Sequence, residues 1–291
     1  MLVASHARSV DWSGVGQAIQ RLPHGTLALA ASAAVIVHLI YSTYDLIGRA
    51  YVGHRLTVPR TMAITFVSYA FNLNFGSLVG GIAFRYRLYS RFGVTTPEVT
   101  RILMLSLATN WLGYLLLAGV VFASRLVEIP PHWRLGPAAL QSVGVGLLIL
   151  VAVYIGLCGW SRHRTVRVRD HAFELPRLPV AALQLVASCT SWLTIAAMIF
   201  VLLNGASPAH VSFPTVLGVL LISAVAGVLT HVPAALGVLE AVFITLLGQH
   251  IAHADVLAAL FAYRAVYYLA PLGFAIVVYV FLETRAHAKQ G

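Results

Sequence analysis

Long apolar runs follow one another along the chain, with short polar stretches between them. They occupy residues 27–47, 61–84, 102–124, 137–160, 180–203, 213–231, 236–250 and 256–282. Most reach the length of about 18 residues that a helix needs to cross a hydrocarbon layer about 30 Å thick. Apolar positions are continuous within each run, unlike the alternating ten-residue segments of a membrane β-barrel. The pattern predicts an all-α, polytopic integral membrane protein with about 7–8 transmembrane helices.

The composition supports this fold class. Hydrophobic residues make up 59% of the chain and charged residues only 10%, against roughly 25% charged in an ordinary soluble domain. The net charge of +10 is interpreted as a basic cytoplasmic face beside anionic lipids, and no nucleic-acid partner is predicted. We expect an N-terminal interfacial helix within 1–26, a single transmembrane helical domain over 27–283 and a short cytoplasmic tail over 284–291.

The distribution of arginine and lysine predicts an orientation, because cytoplasmic loops of inner-membrane proteins are enriched in both. With 61–84 taken as one crossing and a cytoplasmic N-terminus, thirteen basic residues lie on the cytoplasmic side and five on the other. We therefore predict a multi-pass protein of the bacterial inner (plasma) membrane with both termini in the cytoplasm. The region 213–250 has two interpretations that charge does not separate: two short crossings, or one re-entrant hairpin.

Ionisable residues inside the runs are the first candidates for function. An ionised side chain at the bilayer centre costs about 2.5–3.5 kcal/mol on insertion scales and is a functional hypothesis by default. Asp45, Glu240 and Arg264 are therefore predicted to face one shared polar interior. Two structural alternatives stay open: Glu240 and Arg264 form an ion pair that joins two helices, and Asp45 reaches the membrane interface.

Glycine and proline mark the places where helices are expected to break or to pack closely. Pro233, Gly237 and Pro271 are predicted helix breaks, while Gly76 and Gly80 have the GxxxG spacing of close helix packing. Non-helical backbone at membrane depth survives only when it is buried in protein or lines a watery cavity. The interruptions at 72–81 and 231–240 occupy roughly matched places in the two halves, as in many transporters. No residue-by-residue repeat is visible.

Three stretches carry a resemblance to a known family: FNLNFGSLVGGIAFRYRLY (71–89), THVPAALGVLEAVF (230–243) and AYRAVYYLAPL (262–272). They resemble the membrane region of bacterial lysylphosphatidylglycerol synthases and the stand-alone inner-membrane proteins related to it. In the larger synthases this region is assigned lipid flipping, and a cytoplasmic acyltransferase domain charges the lipid. We expect no such domain here, so lysyl transfer is not predicted. The family usually reads His-Ile-Pro-Gly-Gly-Leu-Gly at the second stretch, whereas Ala234 and Ala235 follow Pro233 here, which narrows the backbone freedom of the break.

Residues and resemblance together predict a flippase-like lipid translocator. It would hold the head group of an anionic or glycosylated lipid, that is a phospholipid or glycolipid, in a polar intramembrane cavity. Arg264 is expected to contact a phosphate, and Glu240 and Asp45 to pair with it, contact a cationic head group or carry a proton. Arg85 and Arg87 would gather lipid at the cytoplasmic mouth or act as ordinary positive-inside anchors. The full predicted substrate-binding set is Arg264, Glu240, Asp45, His231, Asn72, Asn74, Arg85, Arg87, Tyr267 and Tyr268.

Two other functions stay open. The chain could be a non-transporting membrane partner that docks a separate lipid-modifying enzyme through the basic segment 161–179. Less favoured is an intramembrane lipid-linked transferase, since no H-E-x-x-H or G-x-S-x-G motif is present and no P-loop points to ATP. No catalytic residue, metal site or cofactor is predicted, and we do not expect an enzyme.

Overall fold

A computed structural model describes residues 12–127, 136–160, 165–168, 171–230 and 232–287, and these residues are almost wholly helical. The first half contains α1 (Trp12–Arg21), α2 (His24–Ser42), α3 (Tyr44–Val52), α4 (Val58–Phe75), a π-helix (Ser77–Ala83), α5 (Phe84–Arg91), α6 (Thr96–Ala123) and α7 (Pro137–Trp160). The second half contains α8 (Leu178–Ala206), α9 (Phe213–Thr230), a 3₁₀ turn (Pro233–Ala235), α10 (Val238–Leu247), α11 (His253–Arg264), a second π-helix (Ala265–Leu269) and α12 (Ala270–His287).

Six helical stretches of the described residues are long and apolar enough to cross a membrane. A shorter apolar helix, Val238–Leu247, accompanies them. The prediction of an all-α, polytopic membrane protein is therefore confirmed. The six stretches are His24–Val52, Thr96–Ala123, Pro137–Trp160, Leu178–Ala206, Phe213–Thr230 and His253–Thr284.

Residues 58–91 form a helical hairpin, here called the first hairpin. The chain reverses at Gly76, whose φ of 83° lies in the region that favours glycine. The returning limb packs directly on α4: a Cβ at Gly80 would overlap the backbone nitrogen of Asn72, and the Phe71 and Phe84 rings stack with centroids 4.1 Å apart. The hairpin thus enters and leaves at the same end of the bundle, and the prediction of a single crossing over 61–84 is wrong.

Residues 213–247 form the second hairpin, so the re-entrant interpretation of 213–250 agrees with the structure. Its tip lies between α9 and α10, where Ala234 and Ala235 have φ values of 55° and 47° and Gly237 one of 77°. The returning helix α10 packs back along α9. The predicted helix breaks at Pro233 and Gly237 therefore coincide with the tip.

The two halves of the chain have the same sequence of elements. A 29-residue helical stretch (His24–Val52 or Leu178–Ala206) is followed by an 18-residue helix that opens a hairpin and then by a long third stretch. Thr26 at the start of α2 contacts Gly205 at the end of α8, so these two first helices are antiparallel. The halves are therefore inverted repeats, joined by α7, and their hairpins enter from opposite ends of the bundle.

The two ends of the described chain lie at opposite ends of the bundle. Arg87 of the first hairpin bonds Glu283 of α12 at 2.6 Å, which places the end of α12 where that hairpin enters. At the other end, α1 packs on α11, and its Val15 and Ala18 are buried. The prediction that both termini share one side is not consistent with this arrangement, because it counted the first hairpin as a crossing.

Smaller features complete the fold. Within the basic segment 161–179, strands β1 (Thr165–Val168) and β2 (His171–Glu174) form a two-stranded antiparallel hairpin that the sequence did not predict. Tyr51 of α3 donates a hydrogen bond to the Leu175 carbonyl beside it. Helix α12 continues to His287, so residues 284–287 prolong the helix. The proposed domain boundaries stay predictions.

Candidate functional site

The tips of the two hairpins enclose a cavity at mid-bundle, here called the central cavity, whose wall combines polar and aromatic side chains with aliphatic ones. Its volume is about 280 Å³. Side chains of both tips, of α2, α6 and α8, and of the second π-helix form its wall. The polar and aromatic residues of this wall are Tyr41, Tyr69, Asn72, Ser77, Asn110, Trp111, Trp192, Ser223, Tyr263, Tyr267 and Tyr268.

Tyrosine rings dominate one side of the central cavity. The Tyr69 and Tyr267 hydroxyls are hydrogen-bonded at 2.5 Å. Tyr41 stacks on Tyr69 with ring centroids 3.5 Å apart, and Tyr263 stacks on Tyr267. On another side, Trp192 donates to the Asn110 carbonyl at 3.2 Å. The wall therefore offers aromatic faces together with groups that both donate and accept hydrogen bonds.

Arg264 lies behind the tip of the second hairpin and is bonded almost completely. Its Nε and Nη2 donate to the two Glu240 carboxylate oxygens at 2.5 and 3.1 Å. Nη1 donates to the Ala234 carbonyl and Nη2 to the Ala235 carbonyl, at 3.1 and 3.2 Å. These contacts use four of the five guanidinium N–H groups. They match the alternative of a structural ion pair, and contact of Arg264 with a phosphate stays a prediction.

Glu240 fixes the other side of the same tip. Besides accepting from Arg264, its carboxylate accepts the Gly237 N–H at 2.9 Å, three residues earlier at the start of α10. This is the arrangement of a capping residue at a helix N-terminus, where a negative charge is favourable. The broken backbone at mid-bundle is thus held by one arginine and one glutamate.

Asp45 and Arg85 form a second buried ion pair, at the first hairpin. Arg85 donates Nε and Nη2 to the two Asp45 oxygens at 3.0 and 3.2 Å, and its remaining bonds go to the Gly81 carbonyl and the Ser106 hydroxyl. Tyr89 also donates to Asp45 at 3.0 Å. Both charged side chains are at most 2% exposed. One guanidinium therefore connects α3, the first hairpin and α6.

Three sequence predictions are corrected by this second pair. Asp45 does not share an interior with Glu240 and Arg264, and it is buried against Arg85 rather than exposed on the outside of the bundle. Arg85 is fully buried, so it does not stand at a cytoplasmic mouth to gather lipid. The physical reason is the return of the chain after Gly76, which brings Arg85 back beside Asp45.

The other predicted residues are distributed as follows. Asn72, Tyr267 and Tyr268 line the central cavity. The Asn74 amide donates to the Ala70 and Tyr268 carbonyls and so joins the first hairpin to the last helix. Arg87 is half exposed and paired with Glu283. His231 lies outside the described residues.

The predicted breaks and packing glycines have distinct roles. Gly80 packs closely, as predicted, but a Cβ at Gly76 would meet open space. Gly76 is therefore the turn of the hairpin, and its predicted packing role is wrong. At Pro271 the helix is not broken, since α12 begins at Ala270 directly after the π-helix.

Several cavity residues were missed by the sequence reasoning. Asn110 and Trp111 form an amide–aromatic pair in the middle of the third apolar run, which was a visible signal. Trp192 and Ser223 carried no such signal in the sequence, because single Trp or Ser residues are common in membrane helices. Among the described residues, no group of three His, Cys, Asp or Glu side chains could hold a metal ion.

Comparisons with known proteins agree with the resemblance of the three stretches. Residues 1–275 match the model of the lysylphosphatidylglycerol synthase TM region. The inner membrane protein YbhN of Escherichia coli (strain K12) is 43% identical over 287 residues, which cover 98% of this chain and 89% of YbhN. The uncharacterized protein slr0712 of Synechocystis sp. (strain ATCC 27184 / PCC 6803 / Kazusa) is 29% identical over 291 residues, covering 99% of this chain and 89% of slr0712.

Proposed function

The chain belongs to the family of the lysylphosphatidylglycerol synthase transmembrane region, and from this premise we propose that it is a lipid translocator of the inner membrane. One observation carries the proposal: two inverted hairpins meet tip to tip around a cavity at mid-bundle whose wall contains tyrosine, tryptophan, asparagine and serine side chains. Broken helices from inverted repeats that meet at the midplane are the usual architecture of a transport site. The head group would pass through the central cavity while the tails remain in the bilayer.

The wall of the central cavity favours a neutral, hydroxyl-rich head group such as a sugar. Both nearby arginines spend four of their five N–H groups on protein acceptors. No described charged side chain lines the cavity, whereas tyrosine, tryptophan, asparagine and serine do. Such a wall can stack on a sugar ring and pair with its hydroxyls. Of the anionic and glycosylated lipids first considered, the glycosylated class is supported better.

The end of the bundle where the first hairpin enters is proposed to be cytoplasmic. By sequence position, thirteen basic residues belong to that end and four to the other, while Arg85 and Arg264 are held in buried ion pairs inside the bundle. The ratio of thirteen to four is larger than the thirteen to five of the sequence-based topology and follows the positive-inside rule. In this orientation α1 is periplasmic and α12 ends in the cytoplasm. The thirteen are Arg49, Arg55, Arg60, Arg87, Arg91, Arg101, Arg162, Arg164, Arg167, Arg169, Arg177, Arg285 and Lys289; the four are Arg8, Arg21, Arg125 and Arg134.

Translocation by the pure protein in liposomes tests the proposal. Fluorescent lipids with identical tails and glucosyl, glycerol or choline head groups are compared, with an impermeant quencher reporting the inner leaflet. Tyr268→Phe removes one cavity hydroxyl and is expected to slow the glucosyl lipid by about two- to tenfold, the value of one hydrogen bond. Tyr154→Phe removes a hydroxyl that bonds Gln184 away from the cavity and should leave the rate unchanged.

Two results would count against the proposal. Equal rates for all three head groups, unaffected by Tyr268→Phe, would exclude recognition by the cavity wall. If no lipid moved at all, the docking of a separate lipid-modifying enzyme through the segment 161–179 would become the leading function.

A further inference from the structure

An apolar groove runs along the outside of the bundle between α2, α4 and the last helix; it is called the lateral groove below. Its volume is about 640 Å³, within the roughly 300–1,000 Å³ of common ligand sites. Its outer rim is exposed and apolar, as Val35, Leu39 and Phe274 show. In a bundle that crosses a membrane, this rim borders the hydrocarbon. Small residues leave the space: Ala31, Ala34, Ala63, Ala265 and Ala270.

Only two polar residues, His38 and Ser42, are part of the lateral groove's lining. Ser42 is satisfied, since its hydroxyl donates to the His38 carbonyl at 2.6 Å. His38 is 4% exposed, and its Nε2 has no hydrogen-bond partner in the described part of the chain. A buried polar atom without a partner is destabilising, so this nitrogen calls for an explanation.

The other ring nitrogen fixes what kind of partner Nε2 can accept. Nδ1 lies 2.9 Å from the Ala34 carbonyl oxygen. A carbonyl oxygen only accepts, so Nδ1 carries the hydrogen, and in the neutral ring Nε2 is then a lone-pair acceptor. The missing partner is therefore a donor. Because Nε2 is shielded from solvent in this structure, a lipid hydroxyl would reach it only after the side chains around the ring move.

His38 also stands between the lateral groove and the central cavity. Its ring contacts Tyr69 and Tyr267, with centroids 5.3 and 5.1 Å away, and those two tyrosines line the central cavity and bond each other. Tyr267 belongs to the π-helix Ala265–Leu269, and π-helical turns occur frequently at functional sites. Opening the Tyr69–Tyr267 pair would connect the two spaces.

We propose that the lateral groove binds one hydrocarbon chain of a lipid whose free hydroxyl donates to His38 Nε2. The proposal rests on the translocator function and adds to it the place where the tail lies while the head group enters the central cavity. The Tyr69–Tyr267 pair is the partition that a head group passes.

Photolabelling in vesicles tests the site without measuring transport. The probe is a diacylglycerol with a diazirine at the end of one acyl chain, and its O-methyl ether is the matched probe without a donor. Labelled peptides are expected from the groove residues of α2, α4 and α12. Ala63→Trp fills the groove and should reduce this labelling at least tenfold, whereas Ala152→Trp, on the exposed side of α7, should not.

The histidine is tested separately with His38→Phe, which keeps a ring and removes Nε2. Wild type should label with the hydroxyl probe up to about tenfold better than with the ether, as one hydrogen bond allows, and the variant should show no preference. Thermal unfolding of the variant is expected at an equal or higher temperature, because an unpaired nitrogen is removed.

Labelling spread evenly around the bundle, or unchanged in Ala63→Trp, would overturn the groove as a site. Equal labelling by hydroxyl and ether probes in wild type would overturn the role of His38. Groove labelling in a protein that moves no lipid would refute the translocator and leave the tail site standing.

Discussion

At the scale of single residues, two arginines on the same helix have opposite surroundings. Arg85 is 2% exposed and bonds both oxygens of Asp45, while Arg87 is 55% exposed and bonds Glu283. Removing one partner of a buried ion pair leaves an uncompensated charge in a place that water does not reach. A surface pair contributes little because water screens it.

We therefore expect Arg85→Ala to lower the free energy of unfolding by about 3–5 kcal/mol and Arg87→Ala to leave the melting temperature nearly unchanged. Thermal unfolding of the purified protein in detergent measures both. Similar small effects of the two substitutions would show that Arg85 does not hold the first hairpin against α3 and α6.

At the scale of elements, the tip of the second hairpin contains strained backbone. Ala234 and Ala235 both have positive φ, which costs about 1–2 kcal/mol for a residue with a Cβ. Glycine avoids this cost. It also lowers the free energy of unfolding by about 0.5–1 kcal/mol, because glycine gives the unfolded chain more conformational freedom. The first term is larger, so glycine is the more favourable residue at these two positions.

Ala234→Gly and Ala235→Gly are each expected to raise the free energy of unfolding by up to about 1 kcal/mol. Ala152→Gly in the regular helix α7 should lower it by about 1 kcal/mol, since glycine is the poorer helix former. Urea or thermal unfolding compares the three variants. Loss of stability in both tip variants would contradict the strain assigned to the turn.

The sequence predicted the position of every long helix but not the return of the first hairpin. Residues 61–84 form one apolar run that continues through Gly76, so the run alone does not show that the chain turns back there. The sequence does not distinguish Gly76, which forms the turn, from Gly80, which packs closely. The backbone conformation of the structure distinguishes them, because Gly76 has a positive φ and Gly80 contacts the backbone of Asn72. Arg264 and Glu240 were paired correctly as the structural alternative, whereas the Asp45–Arg85 pair depends on the missed turn.

At the scale of the whole molecule, the orientation of the bundle can be measured with single cysteines. The background is a variant with Cys158 and Cys189 replaced by serine. In it, Gln20→Cys, at an exposed position of α1, should react with a membrane-impermeant maleimide in cells with a permeabilised outer membrane. Ser90→Cys, at an exposed position of α5, should react only after the inner membrane is opened. Reaction of both positions from the same side would refute the opposite placement of the two ends.

The inverted halves also explain why α7 is needed. Each half crosses the membrane twice and its hairpin not at all, so each half returns to the side on which it began. Two halves of opposite orientation can be linked only by an odd number of crossings, and α7 is that single crossing. It has the highest mean hydropathy of the six stretches, 2.3, and only 11% of its most apolar 18-residue segment is buried in the bundle. Helix α7 therefore gives the two halves their opposite orientations. Without this crossing, both hairpins would enter from the same side of the membrane and their tips would not meet.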